Sequence, residues 1–591
     1  MILCIALVIT AAVVAVNVVI DPFSVFGDKL FEWYSYGMTN NPKTAKYVYI
    51  DEHAGEYDAF IIGPSGASSF DPEAFEKYTG YRWYNMFNYG ADMEYTKRLA
   101  EYLIEIHQPE MLLLTVPVVS ATAYTTDISG MVFEQPLRPL WKLKFLFANP
   151  HYSVAKVRSW LSQSYLQQSF DVFNAESGTY NKTRRDAEAI NSPESYYAAY
   201  PEFVNMAFWK TELTFIEENA EAIEFILELA DRYGTEVIIV TTPMLAEEMG
   251  RYYDDEIRAF YARIAEASGG FWDFSFSEIS GDVRYFYDTT HFRNSVGDMI
   301  AARIFGDDSI YIPDDLGIRV TPGNSIETAE KFIAFEPEEN PTYERTVPIL
   351  RYHDIAEEEG FISPALFAEH MRALYEAGFT AIPLSALYDF VHFGAELPER
   401  PVVITFDGGY LGSYTHGFPV LLEYGFHATF FVTGVFFGED THLPTGSTIR
   451  PRFGAVEARE MVESGLVSVQ SHTYDLHQTE GLYPNPRRGV LQMDGESESA
   501  YIDTLRNDHE LIAGLIRNAT GEEILSMAYP FGISDRLSAV VYRNAGVLMT
   551  LSATHDNALV IRGLPQSLLE MSRFTFDGDT TGDMMVRIIQ G

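Results

Sequence analysis

The distribution of apolar and polar positions divides the chain before composition is considered. Residues Ile2 to Ile20 read ILCIALVITAAVVAVNVVI, where Thr10 and Asn17 are the only polar side chains and none is charged. A helix over this run is about 28 Å long at 1.5 Å per residue, roughly a bilayer core, so an uncleaved transmembrane anchor is expected over residues 1–20. A cleavable signal peptide is the rival, but its basic n-region is missing. A buried core helix is the other alternative. The single cysteine, Cys4, lies inside this run, which argues against a catalytic thiol and leaves no intramolecular disulfide.

From Asp21 onward, short apolar runs alternate with segments of helical period. YDAFIIGPS (Tyr57–Ser65) predicts a strand ending in a Gly-Pro turn, and EYTKRLAEYLIEIHQ (Glu94–Gln108) predicts a helix. EMLLLTVPV (Glu110–Val118) and TEVIIVTTPM (Thr235–Met244) read as strands, with a long amphipathic helix over Glu212–Gly234 between them. Apolar strands separated by helices imply a parallel α/β sheet. The rhythm breaks at FEPEENPTYERTVP, rich in charge and proline. A linker is therefore expected over residues 335–346, between an α/β domain at 21–334 and a second domain at 347–591. There the rhythm restarts. Val347–Ile355, PVVITFD (Pro401–Asp407) and HATFFVTGVFF (His427–Phe437) read as strands, Ser363–Phe379 and Gly417–Phe426 as helices. Six or more such units in about 245 residues fit a (β/α) barrel, complete or distorted.

Composition changes this picture in two ways. With 47% hydrophobic residues the chain has the material for packed cores. A formal net charge of −43 disfavours nucleic acid and anionic membrane surfaces, which need clustered Lys and Arg.

Candidate chemistry lies at strand ends. In the second half, Asp407 closes a strand, His472 and His477 stand in SVQSHTYDLH, and MAYPFG covers Met527–Gly532. Two histidines five apart cannot share a face of regular structure, so they meet at one metal only where the chain turns between them. Neutral imidazoles and a carboxylate suit zinc or a similar divalent ion with one position left for water. Such an ion lowers the water's pKa, and a neighbouring carboxylate can take its proton. In the first half, Ser65 sits in a tight turn after a strand, and Asp288 and His291 stand three apart late in the domain. That layout lets a histidine activate a serine while the aspartate orients the histidine.

These pieces carry two resemblances. LRYHDI, the stretch Ile362–Leu387, VVITFDGGY, HATFFVTG, SHTYDLH and AYPFG resemble, in order, the NodB-type polysaccharide deacetylases, in the branch acting on poly-N-acetylglucosamine. The resemblance implies a distorted (β/α) barrel, Asp407 as general base, His472 and His477 as metal ligands, and zinc as the expected ion. It also implies that Tyr529 and Pro530 line the substrate groove, with a backbone N–H beside Tyr529 in the oxyanion hole. His353 and Asp354 are tentative neighbours of the pocket, and His555 is a tentative general acid. The pattern departs at Gly408, where the family carries a metal-binding aspartate. Three outcomes stay open: Asp407 enters the metal shell, Asp354 or a water supplies the ligand, or the domain binds glycan without hydrolysing it.

The first half resembles SGNH-type hydrolases found with acyl transfer onto bacterial surface polymers. This implies a three-layer α/β domain with Ser65, His291 and Asp288 as a triad and Gly90 as a tentative oxyanion-hole glycine; the usual Gly-x-Asn-Asp block is not apparent. Together the expectation is a single-pass protein of a bacterial cell membrane with both domains extracytoplasmic. It would remove N-acetyl groups from an acetylated cell-surface polysaccharide, with O-acyl chemistry in the first half and no nucleic-acid partner. The alternative is a catalytically degraded glycan-binding or scaffold protein.

Overall fold

The opening apolar run forms helix α1 (Ile2–Ile20) in the computed structural model of the protein. The structure describes residues 2–27, 30, 42–124, 142–162, 172–190, 193–204, 206, 208–338, 341–442 and 444–591. The C-terminal end of α1 is pinned by polar groups. Asn17 is fully buried and its Nδ2 donates to the carbonyls of Leu146 (3.0 Å) and Ala148 (2.8 Å). Ser153, on helix α2 (Pro150–Ser162), donates to Asn17 Oδ1 at 2.9 Å, and Lys156 Nζ donates to the carbonyl of Asp21 at 2.8 Å. Elsewhere α1 shows its apolar side to solvent: Leu7, Val8 and Ile9 are all more than half exposed. Among the described residues no helix is long and apolar enough to cross a membrane. The side chains described in α1 run from Cys4 to Ile20, about 25 Å of helix against a hydrocarbon core of about 30 Å.

Two compact units divide the chain: Met1–Thr183, Ala199–Asp308 and Ile312–Asn340 form one, and Arg184–Ala198, Ser309–Tyr311 and Pro341–Gly591 form the other. Unlike the single linker expected at 335–346, two short excursions of the first half, 184–198 and 309–311, belong with the second unit.

The first unit is built on strands β1 (Ala59–Ile62), β2 (Trp83–Asn85), β3 (Met111–Thr115), β4 (Glu236–Val240) and β5 (Phe271–Asp273). A separate antiparallel pair follows, β6 (Phe286–Asp288) with β7 (His291–Phe292), and then β8 (Ile318–Val320). The sheet order is β2-β1-β3-β4-β5-β8, parallel except for β8 at the edge. The chain reverses direction across the sheet between β1 and β3, and ligands of open α/β sheets bind at the carboxyl ends beside such a switch. Helices α3 (Ile216–Tyr233) and α4 (Asp254–Ser268) bury Ile223, Ile226, Leu229, Ile257, Phe260 and Ile264 in the core that contains Leu112 and Leu114. These spacings of three and four are those of one helix face.

The second unit carries an eight-stranded parallel sheet among the described residues: β9 (Ile349–Tyr352), β10 (Pro401–Asp407), β11 (Ala428–Val432), β12 (Val467–Ser471), β13 (Ser526–Ala528), β14 (Met549–Leu551) and β15 (Phe574–Thr575), with the two-residue strand Thr380–Ala381 pairing onto the start of β10. Their order is β14-β13-β12-β11-β10-β9-β15. Every residue of β10 is buried, as a parallel strand covered on both faces requires. The sheet curls, because Met571 bridges to Leu551 while Phe574, three residues on, pairs with Leu350. Residues 571–575 thus bridge β14 to β9, and Arg573 stands on that seam. Helix α5 (Pro364–Glu376) starts as its sequence dictates, with Ser363 Oγ accepting the Leu366 N–H at 3.2 Å and proline in the first turn.

Candidate functional sites

Asp407 ends β10 and is only 2% exposed. Both of its oxygens are taken by Arg573, Nη1 to Oδ1 at 2.7 Å and Nη2 to Oδ2 at 2.8 Å. Burial works to raise the carboxyl pKa, but the Arg573 guanidinium, helped by His472 and His353, holds it well below the usual range. Arg573 is itself fully buried, and its Nε donates to the carbonyl of Ser552 at 2.8 Å.

His472 follows β12. Its Nδ1 lies 2.7 Å from the carbonyl oxygen of Ala528, which can only accept, so Nδ1 carries the proton and Nε2 keeps a lone pair. Burial pushes its pKa down to about 3, and the imidazole stays neutral at working pH. The turn that a shared site demands is present. Thr473 takes a left-handed φ of 71°, and Asp508 accepts the N–H groups of Tyr474 (2.9 Å) and Asp475 (2.7 Å). Burial pushes Asp508 up to about 7 in spite of those donors. This loop returns His477 to a ring–ring distance of 5.1 Å from His472.

The position of the missing aspartate is covered rather than open. Gly408 has a φ of 94°, its N–H donates to the Phe431 carbonyl at 2.7 Å, and a Cβ added there would lie 2.7 Å from Tyr410 Cε2. Tyr410 in turn carries the guanidinium of Arg452 3.4 Å above its ring centre. The expected substitute ligands are engaged elsewhere. Asp407 is taken up by Arg573 through both oxygens, and Asp354 Oδ2 accepts Arg450 Nε (2.9 Å) and Nη2 (2.8 Å), while Asp354 Oδ1 is buried without a hydrogen-bond partner among the described residues. Among the described residues no group of three or more His, Cys, Asp or Glu is placed to hold a metal ion. Two neutral imidazoles fall short of the three or four protein ligands of a zinc site, so the residues present do not fit the expected resident zinc.

The remaining predicted residues separate. Tyr529 and Pro530 are buried in the core rather than lining a groove, and the Tyr529 N–H is spent on the Leu551 carbonyl at 3.1 Å. Their neighbour Phe531 takes the exposed place, 44% accessible, with a left-handed φ of 60° and its ring stacked 4.5 Å from His477. His353 is exposed on the rim, and its pKa is lowered by the desolvating walls, with Asp407 opposing. His555 is exposed and packs edge-on over Phe574 at 4.9 Å, on the loop that flanks Arg573. Sequence reasoning missed Arg573, Tyr410, Arg452 and Phe531. The available signal was a single arginine in the apolar stretch LLEMSRFTF and aromatic residues beside the motif glycines.

In the first unit, Ser65 starts a 3-10 turn (Ser65–Ser69) just beyond β1 and is partly exposed. The turn requires Gly63, whose φ of 146° sets it against the Thr115 side chain with no room for a Cβ. His291 opens β7, opposite Asp288 of β6. Its Nδ1 lies 2.8 Å from Asp288 Oδ1 and 2.9 Å from Oδ2. Burial would raise Asp288, but His291 and the N–H of Thr290 bring it down to about 2. The next residue along β7, Phe292, accepts from Ser69 Oγ at 2.5 Å and so ties β7 to the Ser65 turn. His291 Nε2 is buried without a hydrogen-bond partner among the described residues, so the Ser65–His291 link of a triad is not formed. Gly90 is exposed with a φ of 65°, and the ring of its neighbour Tyr89 stands 6.3 Å from that of His291. Glu248, 5% exposed and near enough for His291 to oppose its shift, is raised by burial to about 7.

The comparisons bear on the second unit. The family profile of polysaccharide deacetylase matches residues 394–550, so the C-terminal region contains a polysaccharide deacetylase domain. A Bacillus subtilis protein assigned to the polysaccharide deacetylases is 31% identical over 146 residues, 24% of this chain and 48% of the relative. A poly-beta-1,6-N-acetyl-D-glucosamine N-deacetylase of Escherichia coli is 24% identical over 243 residues, 37% of this chain and 36% of the relative. The chain thus spans about half the length of the first of these relatives and about a third of the second. A solved deacetylase domain from Bordetella bronchiseptica is 26% identical, with a TM-score of 0.33, over 41% of this chain and 98% of that one.

Proposed function

We propose that the second unit is a hydrolase that removes N-acetyl groups from a polysaccharide containing N-acetylglucosamine. The observation that carries this reading is the buried Asp407–Arg573 pair beside the neutral, anchored His472, with Asp407 and His472 inside the stretch 394–550 that matches the deacetylase family. Amide hydrolysis needs a base for water, a donor to the developing oxyanion and an aromatic platform for the sugar. Asp407, kept ionised and fixed in orientation by Arg573, is the base. Phe531, exposed and held in a left-handed conformation, offers its ring to the sugar and its N–H to the oxyanion. The test is acetate release from N-acetylglucosamine oligomers by the full chain, with chelator or with added zinc. Wild type should release acetate and Asp407→Asn should lose about 10²–10⁴-fold of the rate, the usual weight of a general base. No release under either condition, with the fold verified, would leave the second reading: a glycan-binding protein that does not hydrolyse, which the covered position at Gly408 favours.

The first unit, on the same footing, is a serine hydrolase-like domain that handles O-acyl groups of such a polymer. Ser65 would be the nucleophile, His291 its base and Asp288 the group that orients His291. The Asp288–His291 pair supports this, and closure of Ser65 onto the unpartnered Nε2 is the step it requires. The apolar side of α1, with the groove that Val16, Val19, Val154, Val157 and Leu161 line, supports attachment to a membrane. Fractionation of full-length protein against protein lacking residues 1–20 tests the attachment. Soluble behaviour of both would end it.

A further inference from the structure

The acidity of the chain, a net charge of −43, is not spread evenly. Between Glu134 and Asp171 the sequence holds no acidic residue, and the described part of that stretch carries Lys142, Lys144, Lys156 and Arg158. Helix α1, which packs beside it, carries no charge. Lys144 and Arg158 are exposed, whereas Lys156 is buried on the Asp21 carbonyl. Lys144 stands on the turn whose Leu146 carbonyl holds Asn17 of α1. Asp21, the first acid after α1, is buried and spent on the N–H groups of Val25 (2.8 Å) and Phe26 (2.6 Å). The same surface is apolar. Phe147, Val154 and Leu161 are more than half exposed, as are Leu7, Val8 and Ile9 of α1. Between α1 and α2 runs an open groove of about 830 Å³, within the range of small-molecule pockets, and Arg158 is the one charged side chain in its wall. Exposed apolar side chains accompanied by cations, with no acidic residue in the stretch, make up the composition of a segment that sits in a membrane interface. A protein partner would need hydrogen bonds along this surface, and α1 offers only Thr10 ahead of Asn17. Acyl chains need none.

We propose that the groove between α1 and α2 takes an acyl chain of an anionic phospholipid, with Arg158 on its phosphate and Lys144 adding to the local positive field. The proposal rests on the reading of membrane attachment and names the lipid. The hydrocarbon stem of an arginine covers apolar surface while its guanidinium reaches a phosphate, so one residue serves both parts of the ligand. The charge of the whole chain does not forbid this. At physiological ionic strength, exposed charges more than about 8 Å apart are largely screened, and the local balance is positive.

The test is flotation of the full chain with vesicles of phosphatidylcholine alone and of phosphatidylcholine mixed with phosphatidylglycerol. The mixed vesicles should bind more tightly, and high salt should remove the difference. Arg158→Gln and Lys144→Gln should each cost about 5-fold in affinity for the mixed vesicles and leave the affinity for phosphatidylcholine unchanged. Arg158→Lys, which keeps the charge, should keep the preference. Leu161→Ser, in the groove wall, should weaken binding to both vesicles by the same factor. Equal affinity for the two vesicles, or an unaltered preference in Arg158→Gln, would overturn the proposal and leave attachment standing. No binding to either vesicle would end the attachment reading along with it. A dimer formed without lipid and dissolved by Leu161→Ser would give the groove to a second copy of the chain, and would also overturn the proposal.

Discussion

Two carboxylates of this chain are held ionised by different kinds of partner. Asp288 in the first unit is paired with an imidazole, His291, on a two-stranded edge where its side chain is 34% exposed. Asp407 in the second unit is paired with a guanidinium, Arg573, at a seam where both are nearly or fully out of solvent. The difference in partner sets the chemistry. An imidazole has one nitrogen to donate and one to accept, so its aspartate can orient a base that gives and takes protons. A guanidinium does not release its proton, so in the second unit the carboxylate itself is left as the base. The first arrangement suits a serine nucleophile and the second suits activation of water.

Breaking each pair should separate them most sharply. Arg573→Ala leaves a buried carboxylate without a counter-charge and should cost about 3–5 kcal/mol in a denaturant melt. Asp288→Asn removes a partly exposed pair and should cost under about 1 kcal/mol. Equal losses would show that the two pairs do not differ as described. A smaller effect is expected at Gly408. Gly408→Asp forces a side chain into a left-handed backbone and against Tyr410, and should destabilise by about 1–3 kcal/mol without creating metal affinity. Full stability with tight zinc binding would contradict the covered position.

The smallest and most diagnostic effect is the pH dependence. Burial lowers the His472 pKa from the ordinary 6.5 to about 3, so its stabilising share is complete above 6.5 and is lost as pH falls toward 3. Asp288 falls from 3.8 to about 2, so its share persists down to about 3.8 and disappears only below it. In calorimetry of the full chain, wild type should lose more stability than His472→Gln as pH falls from about 6.5 toward 3, while Asp508, raised to about 7, contributes in the opposite sense in both proteins. His472→Gln should remove the early loss and leave the late one.

The parallel sheets were legible because their strands are short apolar runs, and Asp407, His472 and His477 were legible because they stand in compact motifs. What escaped depends on closure of the fold. Arg573 is separated from Asp407 by 166 residues, and only the seam formed by Met571 and Phe574 makes them neighbours. Arg452 meets Tyr410 through a bridge between loops, a contact with no periodic signature. Tyr529 reads like a groove residue, yet the left-handed turn at Phe531 sends Tyr529 inward and its neighbour outward. Asn17 looked like a flaw in an apolar run and is in fact the pin that holds α1 to residues 146–153.

The central claim is that two histidines, a carboxylate locked by arginine and a glycine covered by tyrosine do not make a resident metal site. The most direct measurement is the divalent metal content of the purified full chain after dialysis against zinc and removal of free ion. Far less than one equivalent per chain, unchanged in His472→Ala, is the predicted result. One tightly held equivalent that disappears in His472→Ala would contradict it.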